Sequence, residues 1–298
     1  MTNTCFTKKY SRKFTIVKLA RWPIEWLLHK ISKYHIADNR KQVAVFAFDH
    51  IAHSINIQGV YEKEELDVFF DWMSKLNTSF SGKLAIDIGA NIGNHSLYFS
   101  DYFQNVHSFE PNPRTFNLLS INSNLAHNII CHKIGLSDVS RNSQIKVNVG
   151  NIGNSMVVDG VVNGTIGISL ETLDSFNFKK VGLIKIDVEG HEYKALLGAK
   201  KTISENQPVI LFEQHINDFV GNTSPVVELI KSFGYSRFAI IQRSPNLNGG
   251  IIGGLIINII LRLLIAERIK VNIVDSILPG FYNFVIAIPD WMEMSDSE

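Results

Sequence analysis

The sequence feature that most constrains the fold is a strand, turn and helix pattern between residues 84 and 101. The apolar run Leu84–Ile88 has the length of a buried strand, and glycines bound the turn Gly89–Gly93 that follows it. Glycine permits a tight bend and lets the backbone approach a ligand closely. In an open α/β sheet, ligands bind beyond the carboxyl ends of the strands. The segment therefore predicts a nucleotide-like ligand at this turn.

The chain beyond this turn alternates between apolar strands and amphipathic helices. Strands are predicted at Val106–Phe109, Ile129–Ile134, Val181–Ile186, Pro208–Phe212, Arg237–Ile241 and Tyr282–Ile288, and helices follow Gly93, begin at Pro113, and span His191–Lys200 and Pro225–Phe233. Such alternation predicts a parallel sheet covered on both faces. The segment 141–172, rich in Gly, Asn and Val, predicts short strands or a substrate-facing insertion. We therefore expect a doubly wound α/β fold, mostly parallel with a late antiparallel strand.

Residues 1–41 form a basic arm before this domain. They carry a net charge of +8, whereas the remaining chain carries −7. Apolar residues recur at helical spacing from Ile16 to Ile31, and Trp22 and Trp26 lie beside that stripe. This pattern is typical of an amphipathic helix at a membrane surface, but a helix packed on its own domain has the same apolar stripe. Both interpretations remain open at this point.

Residues 42–80 are predicted to extend the main domain, which spans 81–298. The extension has candidate strands at Val43–Phe48 and Ile51–Ile57 and a candidate helix at Glu62–Leu76. Within 81–298 we expect an apolar helical insertion at 246–280. Its segment Ile251–Ala266 has eleven Ile or Leu residues among 16. A membrane span needs about 20 apolar residues, so a buried or interfacial helix is favoured.

Cysteine content and the amino terminus indicate the compartment. The chain has two cysteines, Cys5 and Cys131, and no CxxC motif, which favours a reducing compartment and argues against a structural zinc site. Charges interrupt the first apolar run, so no secretory signal is expected. The basic arm contains no recognisable nucleic-acid-binding module. We predict a cytoplasmic protein, on the inner face of a membrane if the arm binds lipid.

Acidic residues around the glycine turn indicate which nucleotide-like ligand binds. Asp87 precedes Gly89 by two residues, and Glu110 ends the next predicted strand. A carboxylate there can accept hydrogen bonds from both hydroxyls of a ribose. A dinucleotide site would need a glycine where this chain has Asn91. S-adenosylmethionine has no phosphates and has an ammonium group that suits Asp87, so it is favoured over NAD.

Four segments, taken in order and spacing, resemble the FkbM-type methyltransferases. They are Ala85-Ile-Asp-Ile-Gly-Ala-Asn-Ile-Gly93, Phe109-Glu-Pro-Asn-Pro113, Leu170-Glu-Thr-Leu-Asp174 and Ile184-Lys-Ile-Asp-Val-Glu-Gly-His-Glu192. The resemblance extends from about Gln58 to His215. It implies a class I, Rossmann-like methyltransferase fold and S-adenosylmethionine as cofactor. It also implies methylation of a hydroxyl on a sugar, a polysaccharide or a secondary metabolite.

The resemblance also implies roles for individual residues of the cofactor site. The methionine moiety would lie against Asp87, Gly89, Asn91 and Gly93, the ribose would bind Glu110, and the adenine would lie near Ser137 and Asp138. The pair Ser137-Asp138 is also an ordinary turn sequence, which leaves a purely structural role open.

Candidate catalytic residues follow the fourth and fifth predicted strands. Asp187 and His191 follow one strand, and Glu213 and His215 follow the next. Methylation of a hydroxyl requires a proton acceptor, and each of these side chains can serve. His191 and His215 can equally make structural hydrogen bonds. A divalent ion held by Asp187 with Glu189, Glu213 or His215 is an option that the spacing does not require.

The expected function is that of an S-adenosylmethionine-dependent O-methyltransferase. Its acceptor would be a hydroxyl of a sugar, a polysaccharide or a lipid-linked glycan. One alternative is a methyltransferase of a soluble secondary metabolite, and another is a non-catalytic membrane-associated binding protein with the same fold. The expected partners are the acceptor and an anionic membrane surface contacted through residues 1–41 and 251–266, without nucleic acid.

Overall fold

The computed structural model describes residues 16–76, 78–147, 155–158, 164–244 and 268–292. The strands are β1 (Leu84–Ile88), β2 (Asn105–Phe109), β3 (Ile129–His132), β4 (Gly135–Leu136), β5 (Arg141–Val147), β6 (Ser155–Val158), β7 (Thr165–Glu171), β8 (Val181–Ile186), β9 (Val209–Gln214), β10 (Arg237–Ser244), β11 (Arg268–Val274) and β12 (Tyr282–Ile288). The helices are α1 (Ile16–Ala37), α2 (His50–Gln58), α3 (Lys63–Lys75), α4 (Asn94–Phe99), α5 (Pro113–Asn122), α6 (Glu192–Leu197), α7 (Lys200–Asn206) and α8 (Pro225–Ser232).

Eight of these strands form one twisted central sheet. Their order is β11-β10-β12-β9-β8-β1-β2-β3. Strands β1, β2, β3, β8 and β9 are parallel to one another, and β12 lies antiparallel between β9 and β10. The strand order reverses at β1, because β2 and β3 lie on one side of it and β8 and β9 on the other. The carboxyl end of β1 is therefore the switch point at which α/β sheets bind ligands.

This architecture confirms the predicted doubly wound, mostly parallel sheet with a late antiparallel strand. Strand β12 has the bounds expected from the sequence, and β11 adds a second antiparallel strand at the edge, paired with β10. The segment 141–172 contributes short strands to a separate sheet with the order β4-β7-β5-β6. The predicted helix at His191–Lys200 is interrupted, since Gly198 and Ala199 separate α6 from α7.

The central sheet is buried because apolar side chains project from both of its faces. Along β8, Leu183 belongs to one core cluster with Phe70 of α3, and Ile184 belongs to the opposite cluster with Leu196 of α6. This alternation follows from the two-residue period of a strand. Helices α3 and α4 cover one face and α6, α7 and α8 the other. Polar side chains are thereby displaced to the strand ends.

The amino-terminal extension is helical, so the two strands predicted at Val43–Phe48 and Ile51–Ile57 are wrong. Residues 51–57 lie within α2, whose buried residues Ile51, Ala52 and Ile55 share one helical face. Asp49 caps this helix by accepting a hydrogen bond from the Ile51 amide, and Gly59 ends it with φ of 84°. The candidate helix at 62–76 is confirmed as α3.

Two predicted segments are only partly described. Residues 16–37 form the expected helix α1, and residues 21–30 are all exposed, so from residue 21 onward its packing on the domain involves only the carboxyl-terminal end. The helical insertion predicted at 246–280 is wrong for residues 268–274, which form β11. The apolar segment 251–266 lies outside the described residues. Across the described part of the chain, no helix combines the length and the apolar character needed to cross a bilayer.

Asn122 joins the extension to the main domain. Its buried side-chain amide accepts from the Ala44 amide at 2.7 Å and donates to the carbonyls of Ala44 at 3.0 Å and Ile92 at 2.7 Å.

We expect Asn122→Ala to lower the free energy of unfolding by about 1–3 kcal/mol, because buried backbone groups lose their partners. Urea denaturation followed by circular dichroism measures this. Asn124→Ala is the matched control, because Asn124 is exposed and bonds only within its own turn; equal losses in both variants would contradict the assignment.

Candidate active site

Two clefts meet at the carboxyl ends of the central strands. The first, here called the turn cleft, has about 640 Å³ of free space and is lined by residues that include Gly89, Glu110, Leu136, Val157 and His191. The second, here called the acidic cavity, has about 840 Å³ and is lined by residues that include Tyr61, Glu62, His95, Lys185, Glu213 and Phe281. Asn91, Asp187 and Glu189 line both.

The glycine turn brings the ends of β1 and β8 into contact. Gly89 has φ of 77°, and a Cβ atom there would lie 1.8 Å from the carbonyl oxygen of Asp187. The amides of Gly89 and Ala90 both donate to the carbonyl of Phe109 at 3.0 Å, which fixes the turn against β2. Only glycine fits at position 89, because any side chain would overlap the backbone after β8.

Two residues at the junction of the clefts adopt left-handed backbone conformations. Asn91 has φ of 52° and Glu189 has φ of 51°. Asparagine tolerates this region, whereas for glutamate it is strained. Strain of this kind costs about 1–3 kcal/mol and concentrates at functional sites. Both residues line both clefts, so the strained positions coincide with the point where the clefts meet.

Glu110 lies on the floor of the turn cleft, where the ribose contact was predicted. Its Oε2 atom accepts from the Asn91 amide at 2.9 Å, and its Oε1 atom accepts from the Asn112 amide at 2.8 Å. Burial raises the pKa of this carboxyl, and these backbone hydrogen bonds oppose the shift. The Thr115 side chain also hydrogen-bonds to this carboxyl. A carboxylate has about four lone-pair sites, so Glu110 can still accept a hydroxyl donor from a ligand.

Asp87 lies beneath the turn rather than in a cleft. Its side chain is fully buried and accepts a hydrogen bond from Ser96 Oγ at 2.6 Å. Its other oxygen lies 3.4 Å from the ammonium of Lys185. It lines neither cleft. The predicted contact with the ammonium of a ligand, directly or through water, stays a prediction, and the ligand would share this carboxylate with the ammonium of Lys185.

Lys185 is the central residue that sequence reasoning missed. Its ammonium donates to the carbonyl of Gly89 at 3.3 Å and lies 3.2 Å from Asp187 Oδ2. Burial lowers its pKa, but the charges of Asp187 and Asp87 outweigh burial and raise it. A signal was present in the sequence, because Lys185 is the only charged residue in the otherwise apolar strand β8. A buried lysine in such a strand needs paired carboxylates.

Negative charge accumulates in the acidic cavity. Four carboxylates line it, those of Glu62, Asp187, Glu189 and Glu213. Burial and the charges of Asp187, Glu189 and Glu62 raise the pKa of Glu213 to about 9. For Asp187, burial would raise the pKa, but the charges of Lys185 and His95 outweigh it and lower the pKa. Asp187 is thus a fixed negative charge, and Glu213 holds a proton at neutral pH.

The amino-terminal extension contributes side chains that the sequence did not single out. Tyr61 and Glu62 precede α3 and line the acidic cavity with His95 of α4. The Tyr61 backbone exchanges two hydrogen bonds, both of 2.9 Å, with the Asn94 side chain. His95 Nε2 lies 3.1 Å from Glu62 Oε2. No local pattern marks Tyr61 and Glu62, because their role depends on the extension folding back onto α4.

The structure separates the four predicted catalytic residues. Asp187 and Glu213 line the acidic cavity, whereas His191 lines the turn cleft, with its Nε2 atom 3.0 Å from Ser137 Oγ. His215 lines neither cleft. Its Nε2 atom lies 3.3 Å from Glu213 Oε2, and its ring lies 5.1 Å from that of Phe281, so it contacts two residues of the cavity lining from behind them. Only Asp187 and Glu213 therefore face the cavity in which an acceptor could lie.

Ser137 and Asp138, predicted to lie near an adenine, line neither cleft. Ser137 is buried, and its hydroxyl donates to Asp138 Oδ1 at 2.8 Å and contacts His191. The outer end of the turn cleft is instead formed by apolar residues of the small sheet and its neighbours, namely Leu136, Ile145, Val157 and Leu170. The sequence placed the polar pair correctly after the third strand, but its side chains bond to the protein.

Among the described residues, no group of three or more His, Cys, Asp or Glu side chains is arranged to hold a metal ion. The ligand set suggested for a divalent ion centred on Asp187. The Lys185 ammonium lies 3.2 Å from that carboxylate and supplies the nearby positive charge. We therefore derive no step through a metal.

Comparisons with known proteins agree with this geometry. The family described as "Methyltransferase FkbM domain" matches residues 87–237, which is half of the chain. The "Hexuronic acid methyltransferase AglP" of Haloferax volcanii is 32% identical over 128 residues, which are 42% of this chain and 53% of that protein. The chain thus spans about half the length of this curated relative.

Two solved structures of methyltransferases are also similar to the chain. Methyltransferase FkbM from Methylobacillus flagellatus is 24% identical, with 46% of this chain and 34% of that chain covered and a TM-score of 0.34. The O-methyltransferase from Bacillus cereus is 12% identical, with 88% and 90% covered and a TM-score of 0.36. The family match, together with the glycine turn and Glu110 at the switch point, shows that the chain belongs to the FkbM methyltransferase family.

Proposed function

We propose that this chain transfers the methyl group of S-adenosylmethionine to a hydroxyl of a sugar. The observation that carries this proposal is the meeting of the turn cleft and the acidic cavity at Asn91, Asp187 and Glu189. A methyl donor in the first cleft and an acceptor in the second would approach each other there. Methyl transfer requires such alignment of donor and acceptor.

The residues of the turn cleft suit S-adenosylmethionine from end to end. Glu110 retains acceptor capacity for a ribose hydroxyl. The apolar residues Leu136, Ile145 and Leu170 would face the adenine. The turn from Gly89 to Gly93, with Asn91, would lie against the methionine moiety. When bound, the cofactor supplies a methyl group activated on a positively charged sulphur, and the ionised Asp187 at the junction favours a positive charge there.

Glu213 is the proposed proton acceptor for the acceptor hydroxyl. A base works best when its pKa is close to the operating pH, and the pKa of Glu213 is raised to about 9. A positive charge in the neighbouring cleft would lower that pKa toward neutrality. The hydroxyl proton then passes to Glu213 as the oxygen is methylated. Asp187 stays ionised because Lys185 holds its charge.

The cavity also indicates which sugars fit. The relative AglP is named as a hexuronic acid methyltransferase, which supports a sugar acceptor. Carboxylates that line the cavity can accept hydrogen bonds from several hydroxyls. The cavity's one lysine, Lys185, is already paired with Asp87 and Asp187. The carboxylates of the cavity would therefore repel the carboxylate of a uronic acid, and we propose an uncharged sugar rather than a uronate.

The ribose contact is tested by Glu110→Ala. Loss of hydrogen bonds to a charged group should weaken binding of S-adenosylmethionine by about 1–3 kcal/mol, measured by isothermal titration calorimetry. Binding of S-adenosylhomocysteine should weaken equally, because it carries the same ribose. Glu205→Ala is the control, since Glu205 is exposed and pairs with Lys179. A folded Glu110→Ala protein with unchanged affinity would remove the ribose placement, and NAD binding in the same titration would favour a dehydrogenase.

The proton acceptor is tested by pH profiles. In the free enzyme Glu213 must lose its proton, so kcat/KM should rise with pH and level off near pH 9. Glu213→Gln should remove this rise and lower kcat by about 10²–10⁴-fold. Glu189→Gln should keep the rise but move its midpoint to lower pH, because Glu189 is one of the charges that raise the pKa of Glu213. If kcat/KM of the Glu213→Gln variant still rose with pH in the same way, another group would be the proton acceptor.

The acceptor class is tested with a labelled methyl donor and paired acceptors. A neutral hexoside should be methylated at least tenfold faster than the corresponding uronic acid, a factor equivalent to about 1.4 kcal/mol. Glu189→Gln should narrow that difference, because it removes one cavity charge. Preference for the uronic acid would contradict the charge argument. Methylation of a soluble metabolite alone, or cofactor binding without any transfer, would favour the two alternative functions.

A further inference from the structure

Helix α1 exposes an apolar face that nothing in the described part of the chain covers. Trp22 is 76% exposed and Trp26 is 54% exposed. The same helix exposes Leu19, Ile24, Leu27 and Leu28. At 3.6 residues per turn, these leucines and Ile24 lie along one side, with both tryptophans at its border. Exposed patches of this kind mark sites of interaction with another surface.

Helix α1 and the chain before it are basic. In the described part of the helix, Arg21, Lys30 and Lys33 outnumber Glu25. At the helical spacing Arg21 and Glu25, which pair with each other, lie opposite the apolar side, whereas Lys30 and Lys33 lie beside the tryptophans, and the Lys30 ammonium lies 5.7 Å from the centre of the Trp26 ring. The sequence adds Lys8, Lys9, Arg12, Lys13 and Lys18. Tryptophan, leucine and lysine on the exposed side of a helix are the pattern of a helix lying in a membrane interface, where the lysine stems follow the apolar surface and their ammonium groups reach the headgroups. Tryptophan rings favour that depth.

A basic groove lies where α1 meets α2 and α3. Its lining includes the basic or aromatic side chains of Lys30, Tyr34, His35, Arg40 and Lys63, with Glu64 as its one carboxylate. Arg40 and Lys63 also pair with Asp38 and Asp67. His35 Nε2 lies 3.1 Å from the Ile57 carbonyl, and its Nδ1 atom is buried without a hydrogen-bond partner among the described residues. The donors that this groove has for phosphate oxygens of a lipid headgroup are Lys30, Arg40 and Lys63.

Charge decides between an anionic membrane and a second copy of the chain. In a two-fold dimer through α1, the basic arms and helices of both copies would meet the same residues of the partner. Like charges would then be brought together, which is unfavourable at an interface. An anionic surface instead attracts every one of these residues. We propose that α1 docks on an anionic lipid membrane, with its apolar face in the interface and the basic groove against headgroup phosphates.

The fold places this membrane contact close to the acidic cavity. His35 of α1 contacts Ile57 near one end of α2, and His50 and Ile51 at the other end line the cavity. Helix α2 has nine residues, which span about 13 Å at the helical rise. A sugar on a membrane lipid could therefore reach the cavity from the docked face. This last step, a lipid-linked acceptor, rests on the function proposed above.

Flotation of the full chain with vesicles tests the docking. Vesicles of phosphatidylcholine with one third phosphatidylglycerol should carry the protein upward, and phosphatidylcholine alone should carry much less. Binding should fall in high salt, because exposed charges are screened. Trp22→Ala/Trp26→Ala should weaken partitioning at least tenfold. Lys30→Glu/Lys33→Glu should weaken binding to the vesicles that contain phosphatidylglycerol, by about fivefold or more for each lysine. Binding to vesicles of phosphatidylcholine alone should not change.

The matched control is Trp291→Ala, because Trp291 is also 54% exposed but lies after β12. Its partitioning should equal that of the wild type. Equal binding of the wild type and the Trp22→Ala/Trp26→Ala variant would overturn the proposal, as would no flotation at all. A dimer that the tryptophan variant dissociates, without flotation, would assign the face to a second copy. Calorimetry with S-adenosylmethionine on the same samples separates this result from failure of the proposed function.

Discussion

The site depends on one buried ion-pair arrangement, in which Lys185 lies between Asp87 and Asp187. Its ammonium is 3.4 Å from Asp87, 3.2 Å from Asp187 and 3.3 Å from the Gly89 carbonyl. These groups belong to the ends of β1 and β8 and to the turn that both clefts share. Breaking a buried pair by removing one partner leaves an uncompensated charge, which costs about 3–5 kcal/mol. Lys185 therefore joins the strand ends at the switch point of the sheet, and it also determines the charge of the site at that point.

The same arrangement divides the carboxylates of the acidic cavity into two kinds. The charge of Lys185 outweighs burial at Asp187 and keeps that residue ionised. For Glu213, burial and the neighbouring carboxylates outweigh the lysine, which raises its pKa to about 9. Environments that push the pKa values of two neighbouring acids apart give them different chemical roles. The fixed negative charge of Asp187 thus depends on Lys185, whereas the raised pKa of Glu213 depends on burial and on the neighbouring carboxylates.

The sequence predicted what depends on local pattern and missed what depends on tertiary contact. Strand alternation and the glycine turn predicted the doubly wound sheet and the tight turn that borders a cleft, because periodicity and glycine conformation are local properties. Residues 51–57 were misassigned as a strand, because a short apolar run has no unambiguous period until Asp49 and Gly59 are recognised as caps. Tyr61 and Glu62 reach the cavity only through the Asn94 contact, which no spacing reveals.

The predicted site residues that moved share one physical cause. Asp87 and Ser137 are polar residues at strand ends, where the sequence suggests contact with a ligand. In the fold each is buried and bonds to another side chain, Asp87 to Ser96 and Ser137 to Asp138. A buried polar group must find a partner, and a protein donor or acceptor serves as well as a ligand. Glu110 differs because it lines the turn cleft, and the hydrogen bonds from Asn91, Asn112 and Thr115 leave part of its acceptor capacity for a ligand.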